Sequence, residues 1–336
     1  MDFPKSMPDI GLVNGQFVDE NITTGQAGTY IPSSWGNAVT HEVLNVIEAA
    51  GLTPDEGDYT QLMVAVNRLS SRYAPVLRYI SESHTFTSSD LGLALINASQ
   101  TTLTITLPSS NSALGVRDVI VHRVDSTGNR LKVVAAENDT IKLHTHLNAS
   151  GYPFLILMGA GDWWHLRSDG AGNWWPVGRS DATPLGRVVL DTSKGFPPGG
   201  YGAVSGSIFV RSEWPWLWDY AQQSGMLTTD AQRSALYGCW TTGDGTLTFR
   251  GPEMRGEFLR VFDESRGLDA SRIAGSHQDD AFRSHTHVNF IAGQKSGASS
   301  PGADSAVYGG GYVTGATGGT ETRPHNIAYP GRIKLI

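Results

Sequence analysis

Two histidines, His285 and His287, are separated by a single residue near the C-terminus. In an extended segment such residues point to the same face, so one chain offers a metal ion two imidazoles and no more. A structural zinc site needs four ligands, and no others stand nearby at zinc-finger spacing, since the single cysteine is Cys239. Three copies of the chain around a threefold axis would supply six imidazoles, a full octahedral shell. The pair therefore indicates a homotrimer.

Taken alone, a His-x-His pair is also typical of two solvated histidines on a polar strand face. The same His-Thr-His tripeptide occurs at His144 and His146, between apolar residues that would face the other way in a strand. No further motif surrounds this earlier pair, so solvent-facing histidines explain it at least as well as metal ligands do. His144 and His146 are therefore the weaker metal-ligand candidates.

Several short motifs accompany His285 and His287 in the C-terminal part of the chain. In order they are RGEFLR at 255–260, RGLD at 266–269, RIAG at 272–275, QDDAF at 278–282 and RPHNIAY at 323–329. Their order and spacing resemble the tail-collar and tail-fibre tip modules of contractile-tailed phages and R-type pyocins. Three pieces near the N-terminus resemble the attachment region of the same fibres: VNG at 13–15, WGN at 35–37 and GLTPDE at 51–56.

In that family, a His-x-His pair from each of three chains coordinates an iron ion on the fibre axis, and the C-terminal tip adsorbs to the bacterial surface. The resemblance thus implies that His285 and His287 are iron ligands in a homotrimer. It implies that the N-terminal region docks onto a baseplate or tail protein, and that the tip binds lipopolysaccharide or another surface glycan. The protein is then expected in the virion after assembly in the host cytoplasm, where intertwined trimers often need a fibre-assembly chaperone.

The composition agrees with this interpretation and argues against several others. Only 17% of the chain is charged and 40 residues are glycine, which favours turn-rich β structure over long helices. The net charge of −7, without clusters of Lys and Arg, argues against a nucleic-acid partner. No apolar run approaches the roughly 18 residues that a membrane-spanning helix needs, and the first residues lack the apolar stretch of a signal peptide. One cysteine excludes an intrachain disulfide.

Residues 1–75 form the predicted virion-attachment region. Ser33 and Ser34 offer an N-cap for a helix whose apolar residues share one face and which ends at Gly51. Pro54 is expected to start a second helix that closes before Pro75. Two such helices are too small to be stable alone, so we expect them to pack against other chains or a baseplate protein.

Residues 76–180 form the predicted β-rich middle domain, with the character of a β-sandwich. Apolar residues alternate with polar or β-branched ones around Leu103, Ile105, Val119 and Leu131, and turn-rich pieces separate the runs. We interpret this pattern as an antiparallel β module.

A GAG-x-WW pattern occurs twice in this middle domain, at 159–164 and 170–175, so the intervening turn is expected to bring two tryptophan-bearing strands side by side. Alternation forces one tryptophan of each pair inward, which favours core packing over stacking on sugar rings.

Residues 181–287 form the predicted tail-collar-like domain, with a helix expected between Trp214 and Ser224. Residues 288–336 form the predicted receptor-binding tip loop and C-terminal strand, because a tract rich in glycine, serine and alanine follows the histidine pair. The residues expected to contact the receptor are Ser296, Ser299, Ser300, Asp304, Tyr308 and Tyr312.

The sequence therefore predicts a mainly β, elongated, multi-module homotrimeric fibre that binds and does not catalyse. One alternative is a polysaccharide depolymerase that uses carboxylates such as Asp263 and Asp279. It is disfavoured because nothing indicates the long repetitive β-helix of such tail enzymes. The motifs of other chemistry, namely the phosphate loop, the nucleophile elbow and the metalloprotease helix, are missing from the sequence. A purely structural collar or baseplate protein is the other alternative.

Overall fold

A computed structural model describes residues 4–70, 77–195, 197–284 and 321–336. Strands make up 24% of the chain and helices 14%, so the expectation of a mainly β protein is confirmed. Among the helices in these ranges, none combines the length and the apolar character that crossing a bilayer requires.

Two helices lie in the N-terminal part, α1 at Ser33–Ala49 and α2 at Gln61–Ser70, and they pack against each other. The prediction of α1 is confirmed, but the prediction that Ser33 or Ser34 caps it is wrong. Pro32 is the N-cap residue, and the helix has no side-chain capping hydrogen bond. The helix ends before Gly51, whose φ of 70° is the left-handed conformation that glycine adopts readily.

The predicted start of α2 at Pro54 was too early. The Gly57 amide donates to Asp55 Oδ1 at 2.8 Å, and the Thr60 amide donates to Asp58 Oδ1 at 2.8 Å. These two local side-chain turns satisfy backbone groups in a way that competes with helix formation, so the helix begins only after Thr60.

The middle part contains ten strands in two sheets. They are β1 Leu77–Ile80, β2 His84–Thr85, β3 Leu93–Ile96, β4 Leu103–Thr106, β5 Asp118–Arg123, β6 Leu131–Val134, β7 Thr140–Ile141, β8 Phe154–Leu157, β9 Trp163–Ser168 and β10 Asn173–Arg179. The six-stranded sheet has the order β1-β3-β5-β9-β10-β7, and the four-stranded sheet has the order β2-β4-β6-β8. From β1 to β8, successive strands therefore alternate between the two sheets.

The strand directions correct the prediction of an antiparallel module. β1, β3 and β5 pair in parallel, as do β2, β4 and β6. After each of these strands, the chain forms a strand of the other sheet before it adds the next strand to the first sheet. The added strand therefore runs parallel to the previous strand of its own sheet. Antiparallel pairing is confined to β8 on β6 and to β9 between β5 and β10. A period-two pattern is common to both kinds of sheet, so it could not reveal this difference.

The alternating apolar residues face one shared core, as predicted. Leu103, Ile105, Val119 and Leu131 are at most 1% exposed and belong to a single apolar cluster that draws on both sheets. The two tryptophan strands β9 and β10 are antiparallel neighbours, which confirms the predicted turn between them.

One tryptophan of each pair points into this core. Trp164 and Trp174 are 2% and 0% exposed, whereas Trp163 is half-buried and Trp175 is 45% exposed. The prediction that alternation sends one member of each pair inward is therefore confirmed.

In its described residues, 181–195, 197–284 and 321–336, the C-terminal part contains seven strands and one α-helix. They are β11 Val188–Leu190, β12 Tyr201–Ala203, β13 Ile208–Val210, α3 Pro215–Gln223, β14 Leu227–Thr228, β15 Trp240–Thr241, β16 Thr248–Arg250 and β17 Gly331–Lys334. The helix predicted after Trp214 is confirmed. One sheet has the order β11-β17-β12 and the other β13-β16-β15-β14, so the last strand of the chain completes a sheet that begins near Val188.

Helix α3 joins the C-terminal part to the middle part. Trp216 is fully buried, with its ring 5.5 Å from that of Phe154 and 6.0 Å from that of Tyr152. Its indole nitrogen donates to the Leu335 carbonyl at 2.8 Å, and the Tyr152 hydroxyl donates to Asp219 Oδ2 at 2.7 Å. Trp216 of α3 thus contacts β8 through Phe154 and the residue after β17 through Leu335.

Candidate functional site

Most of the predicted site residues lie outside the described ranges. This holds for the iron-ligand candidates His285 and His287 and for the receptor-contact candidates Ser296, Ser299, Ser300, Asp304, Tyr308 and Tyr312. The structure does describe the segment that leads up to them, residues 255–284, and the return to the core at residues 321–336. It also describes the second histidine pair, His144 and His146.

Residues 255–284, here called the arm, contain no helix and no strand. The arm touches the C-terminal module at one point, where the Gly238 amide donates to the Gly275 carbonyl at 2.8 Å and the His277 amide to the Ala235 carbonyl at 3.0 Å. The two glycines allow this approach, since a Cβ on Gly238 would lie 2.8 Å from the Gly275 Cα. The arm is therefore anchored at 275–277.

Six large apolar side chains of the arm are more than half exposed in the single chain. They are Phe258 at 56%, Leu259 at 65%, Val261 at 92%, Leu268 at 68%, Ile273 at 62% and Phe282 at 74%. Such a concentration within one segment is unusual for a surface that faces only water, and it is typical of a protein–protein contact.

A cavity of about 630 Å³ lies between the arm and the C-terminal module. Its module side is lined by Tyr220, Met226 and Trp240, and its arm side by Phe258 and Ile273. The walls are therefore aromatic and aliphatic, a lining that suits apolar side chains or the carbon faces of a ligand.

Charged residues of the arm lie around this cavity in pairs. Arg260 Nε lies 3.4 Å from Asp269 Oδ2, and His277 Nε2 lies 3.5 Å from Glu257 Oε2. His277 Nδ1 lies 4.0 Å from Asp279 Oδ1, and that aspartate side chain is 96% exposed. Arg260 and Asp269 thus form an ion pair beside the cavity, and His277 lies between the carboxylates of Glu257 and Asp279.

The two carboxylates named for the depolymerase alternative, Asp263 and Asp279, have separate local contacts. Asp263 accepts the amides of Gly267 at 2.8 Å and Leu268 at 3.1 Å, so it closes a local turn in the arm. Asp279 has the contact with His277 as its described partner. Each carboxylate thus has a local role in the arm.

The earlier histidine pair, His144 and His146, lies in a turn and not in an extended strand, which corrects the expectation drawn from its sequence. His144 has a φ of 47°, and the Leu147 amide donates to its carbonyl at 2.9 Å. The two rings are 5.9 Å apart and perpendicular to each other. Burial, followed by the nearby charge of Arg179, lowers the pKa of His144 to about 4.

The His144 imidazole is therefore neutral at pH 7, which is the form that a metal ion needs. Its Nε2 is buried and has no hydrogen-bond partner within the described part of the chain. Across the same ranges, however, no three His, Cys, Asp or Glu side chains converge to hold a metal ion. One chain offers at most an incomplete ligand set here.

A buried charge cluster lies beside His144, and no sequence pattern predicted it. Lys334 Nζ is fully buried, 3.1 Å from Asp181 Oδ2, and its ammonium lies 4.5 Å from the Tyr201 ring centre. Burial, and then the charge of Arg179, lowers the pKa of Lys334. Arg179 stacks on Trp164 at 4.2 Å and donates to the carbonyl of Ile336. The cluster fixes the chain end against the middle part.

Asp162 completes this cluster. Its carboxylate accepts from the Ser180 hydroxyl at 2.6 Å and from the Met158 amide at 2.8 Å, and burial raises its pKa. Three residues distant in sequence, Asp162, Arg179 and Lys334, meet only in the folded chain, so no local spacing could have revealed them. The arrangement is structural, since each group is held by protein partners.

No protein-family model matches this chain, and no curated protein does.

Proposed function

We propose that this chain is the subunit of a homotrimeric phage tail fibre that attaches the virion to a glycan on the bacterial surface. The observation that carries the proposal is the arm. The chain leaves the C-terminal module after β16, passes through the motifs that resemble fibre tips, and returns as β17 to a sheet of the same module. The arm, residues 255–284, and the return segment, residues 321–329, are thus the described parts of one long excursion between β16 and β17.

The apolar side chains of the arm support the trimeric part of the proposal. Val261 is 92% exposed and Phe282 is 74% exposed in the single chain, and Phe282 lies shortly before His285 in the sequence. Two further copies around an axis would remove such side chains from water, and burial of apolar surface is the main favourable term in association. The cavity beneath the arm offers apolar walls for the same contact.

His285 and His287 are proposed to bind the iron ion of this trimer. They follow directly on the arm, which brings the chain out from its anchor at Gly275. Six neutral imidazoles suit an octahedral first-row metal, and zinc prefers four ligands, so iron is the proposed ion. Because the ligands come from three chains, the ion would also hold the arms together.

The receptor contacts are proposed to lie in residues 288–322. Loops on a fixed scaffold carry most binding residues, because their sequence can change without disturbing the core. Several fibres with three tips each would convert weak glycan contacts into firm attachment. A baseplate or tail protein would hold the N-terminal helices at the other end.

The direct test deletes residues 297–315 from the full chain and measures adsorption of the purified protein to cells of a strain that the wild type binds. We expect adsorption to fall to background while the protein remains a trimer. Exchange of Leu247, an exposed residue outside the excursion, for alanine is the matched control and should bind like the wild type. Undiminished adsorption of the deletion variant would contradict this placement of the receptor site.

The same protein preparation addresses the enzymatic alternative. Incubation with purified surface polysaccharide from the bound strain should leave the polymer length unchanged if the chain only binds. Shortening of the polymer would contradict the proposal and favour a depolymerase.

A further inference from the structure

The outward surface of the six-stranded sheet carries mostly apolar side chains, with two histidines, in register across four strands. One row consists of Tyr79, Leu95, His122 and Trp163 on β1, β3, β5 and β9. The next row consists of Leu77, Leu93, Ile120 and His165 on the same strands. These eight residues are here called the outer face.

Solvent reaches the outer face in the single chain. Leu77 is 65% exposed and Tyr79 is 66% exposed, while Leu93, Leu95 and Ile120 are half-buried. The residues between them in each strand, such as Ala94 and Val121, have 0% exposure and belong to the core. The sheet is thus apolar on both sides, and only one side is fully covered by the described chain.

Strand β8 shows what a covered strand of this kind looks like. Its four residues, Phe-Leu-Ile-Leu, are all buried, because the core lies on one side and α3 on the other. Strand β3, with the sequence Leu-Ala-Leu-Ile, has the same continuous apolar pattern but alternates between half-buried and buried. Continuous apolar strands are typical of sheets with both faces covered. The pattern of β3 therefore indicates a covering partner on its outer side.

The charges at the border of the outer face are already neutralised within the chain. Arg167 donates to Asp118 Oδ1 at 2.6 Å through Nε and to Oδ2 at 2.8 Å through Nη2. Although burial raises the pKa of Asp118, hydrogen bonds from Arg167 and His165 hold it below its ordinary value. A partner that covers the outer face would not bury an unpaired charge.

Trp163 shapes the middle of the surface. Its ring lies across Gly178 of β10, where an added Cβ would be 3.5 Å from the indole carbons. The tryptophan therefore lies along the sheet and adds to a broad, flat surface. Four residues of the outer face, Leu77, Leu93, Leu95 and Ile120, are aliphatic and offer no hydrogen-bond group to sugar hydroxyls, so the surface suits a protein partner better than a glycan.

Helix α2 indicates which protein that partner is. Leu62, Val66 and Leu69 are 41%, 49% and 39% exposed and follow the i, i+4, i+7 spacing of a coiled-coil seam. A seam of this spacing fits the same seam on a parallel copy of the helix. The helix ends at Ser70, and β1 of the outer face begins at Leu77, so the two apolar surfaces are adjacent in the chain.

We propose that the α2 seam and the outer face together form the contact between copies of this chain along the shaft of the fibre. This inference rests on the proposed homotrimer and adds where the three chains meet outside the tip. The seam of α2 is too short to associate strongly by itself, because isolated short helices are marginal in water. The outer face supplies the larger apolar area, and the seam sets the parallel direction of the three chains.

The first test replaces two outer-face residues that are already about two-thirds exposed, Leu77→Lys and Tyr79→Lys, in the full chain. The fold of a single chain buries little of either residue, so circular dichroism should remain that of the wild type. Light scattering across a dilution series should show the concentration for half-dissociation raised at least about tenfold. Leu247→Lys, at 69% exposure outside both surfaces, is the control and should leave the trimer unchanged.

The second test uses disulfide capture and does not depend on destabilisation. The only native thiol, Cys239, is 4% exposed, so an introduced cysteine is the reactive one. Leu69→Cys should give covalent dimers under mild oxidation, since seam residues of neighbouring helices face each other. Asn45→Cys on the exposed surface of α1 is the control and should remain uncrosslinked.

The outcomes separate this inference from the proposed function. A wild-type chain that is monomeric would refute the trimeric fibre itself. If the wild type is a trimer, the lysine double variant is an equally stable trimer and Leu69→Cys forms no covalent dimer, the shaft contact is refuted and the proposed fibre is not. If the lysine double variant remains a trimer but no longer adsorbs to cells, the inference is overturned in favour of a glycan-binding surface on the outer face.

Discussion

Acid should destabilise this protein through His144, and the size of the effect follows from its pKa. The folded chain holds that pKa at about 4, against about 6.5 for a free imidazole. A group with a depressed folded pKa takes up its proton first in the unfolded chain, so the stability it contributes is present above pH 6.5 and lost as the pH falls toward 4. Between pH 7.5 and pH 5 the loss is about 2 kcal/mol in the free energy of unfolding.

The assay is urea unfolding at pH 7.5 and pH 5 at one fixed protein concentration, on the wild type and on His144→Asn. Asparagine tolerates the positive φ at this position, and it does not titrate. The difference between the two pH values should be smaller in the variant by about 2 kcal/mol. This subtraction removes the contribution of other titrating groups, including the proposed iron ligands. An equal loss in both proteins would refute the assignment of the low pKa to His144.

Two further predictions follow from the packing and from the histidine pair. Trp216→Ala should lower the free energy of unfolding by about 3–5 kcal/mol and split a single denaturant transition into two. Leu190→Ala, at a residue that is 67% exposed, is the near-neutral control. An unchanged single transition in Trp216→Ala would contradict the role of Trp216 as the link between the two parts. If the proposed trimer binds iron, the double variant His285→Ala, His287→Ala should melt at a lower temperature than the wild type, and its melting should be insensitive to chelators. A variant with wild-type melting behaviour would favour solvated histidines at both positions.

The sequence predicted the local pattern of the middle part well and its topology poorly. Burial of Leu103, Ile105 and Leu131 followed from alternation, because side chains in any strand point alternately to two sides. Parallel pairing of Leu93 with Leu77 and Ile120 depends on how the chain travels between two sheets, and no local signal encodes that route. The tryptophan turn between β9 and β10 was predictable, since a hairpin joins neighbouring segments.

The candidate site was predictable where chemistry is local and unpredictable where it depends on distant residues. The spacing of His144 and His146 suggested two side chains on one face of a strand. The φ of 47° at His144 is not a strand conformation, so the pair lies in a turn. The charge cluster around Lys334 unites residues from three distant stretches, and its burial comes entirely from tertiary packing. Helix α2 starts late for a local reason, the side-chain turns at Asp55 and Asp58, which compete with helix propensity.

Native mass spectrometry with metal identification tests the trimeric iron-bound fibre most directly. The full chain is purified without chelator and weighed intact at neutral pH, and the same sample is analysed for metals. The account predicts three chains and one iron ion per particle, with the iron lost as the pH falls through the range around 6.5 where free imidazole titrates. A monomer, or a trimer that contains no metal, would contradict it.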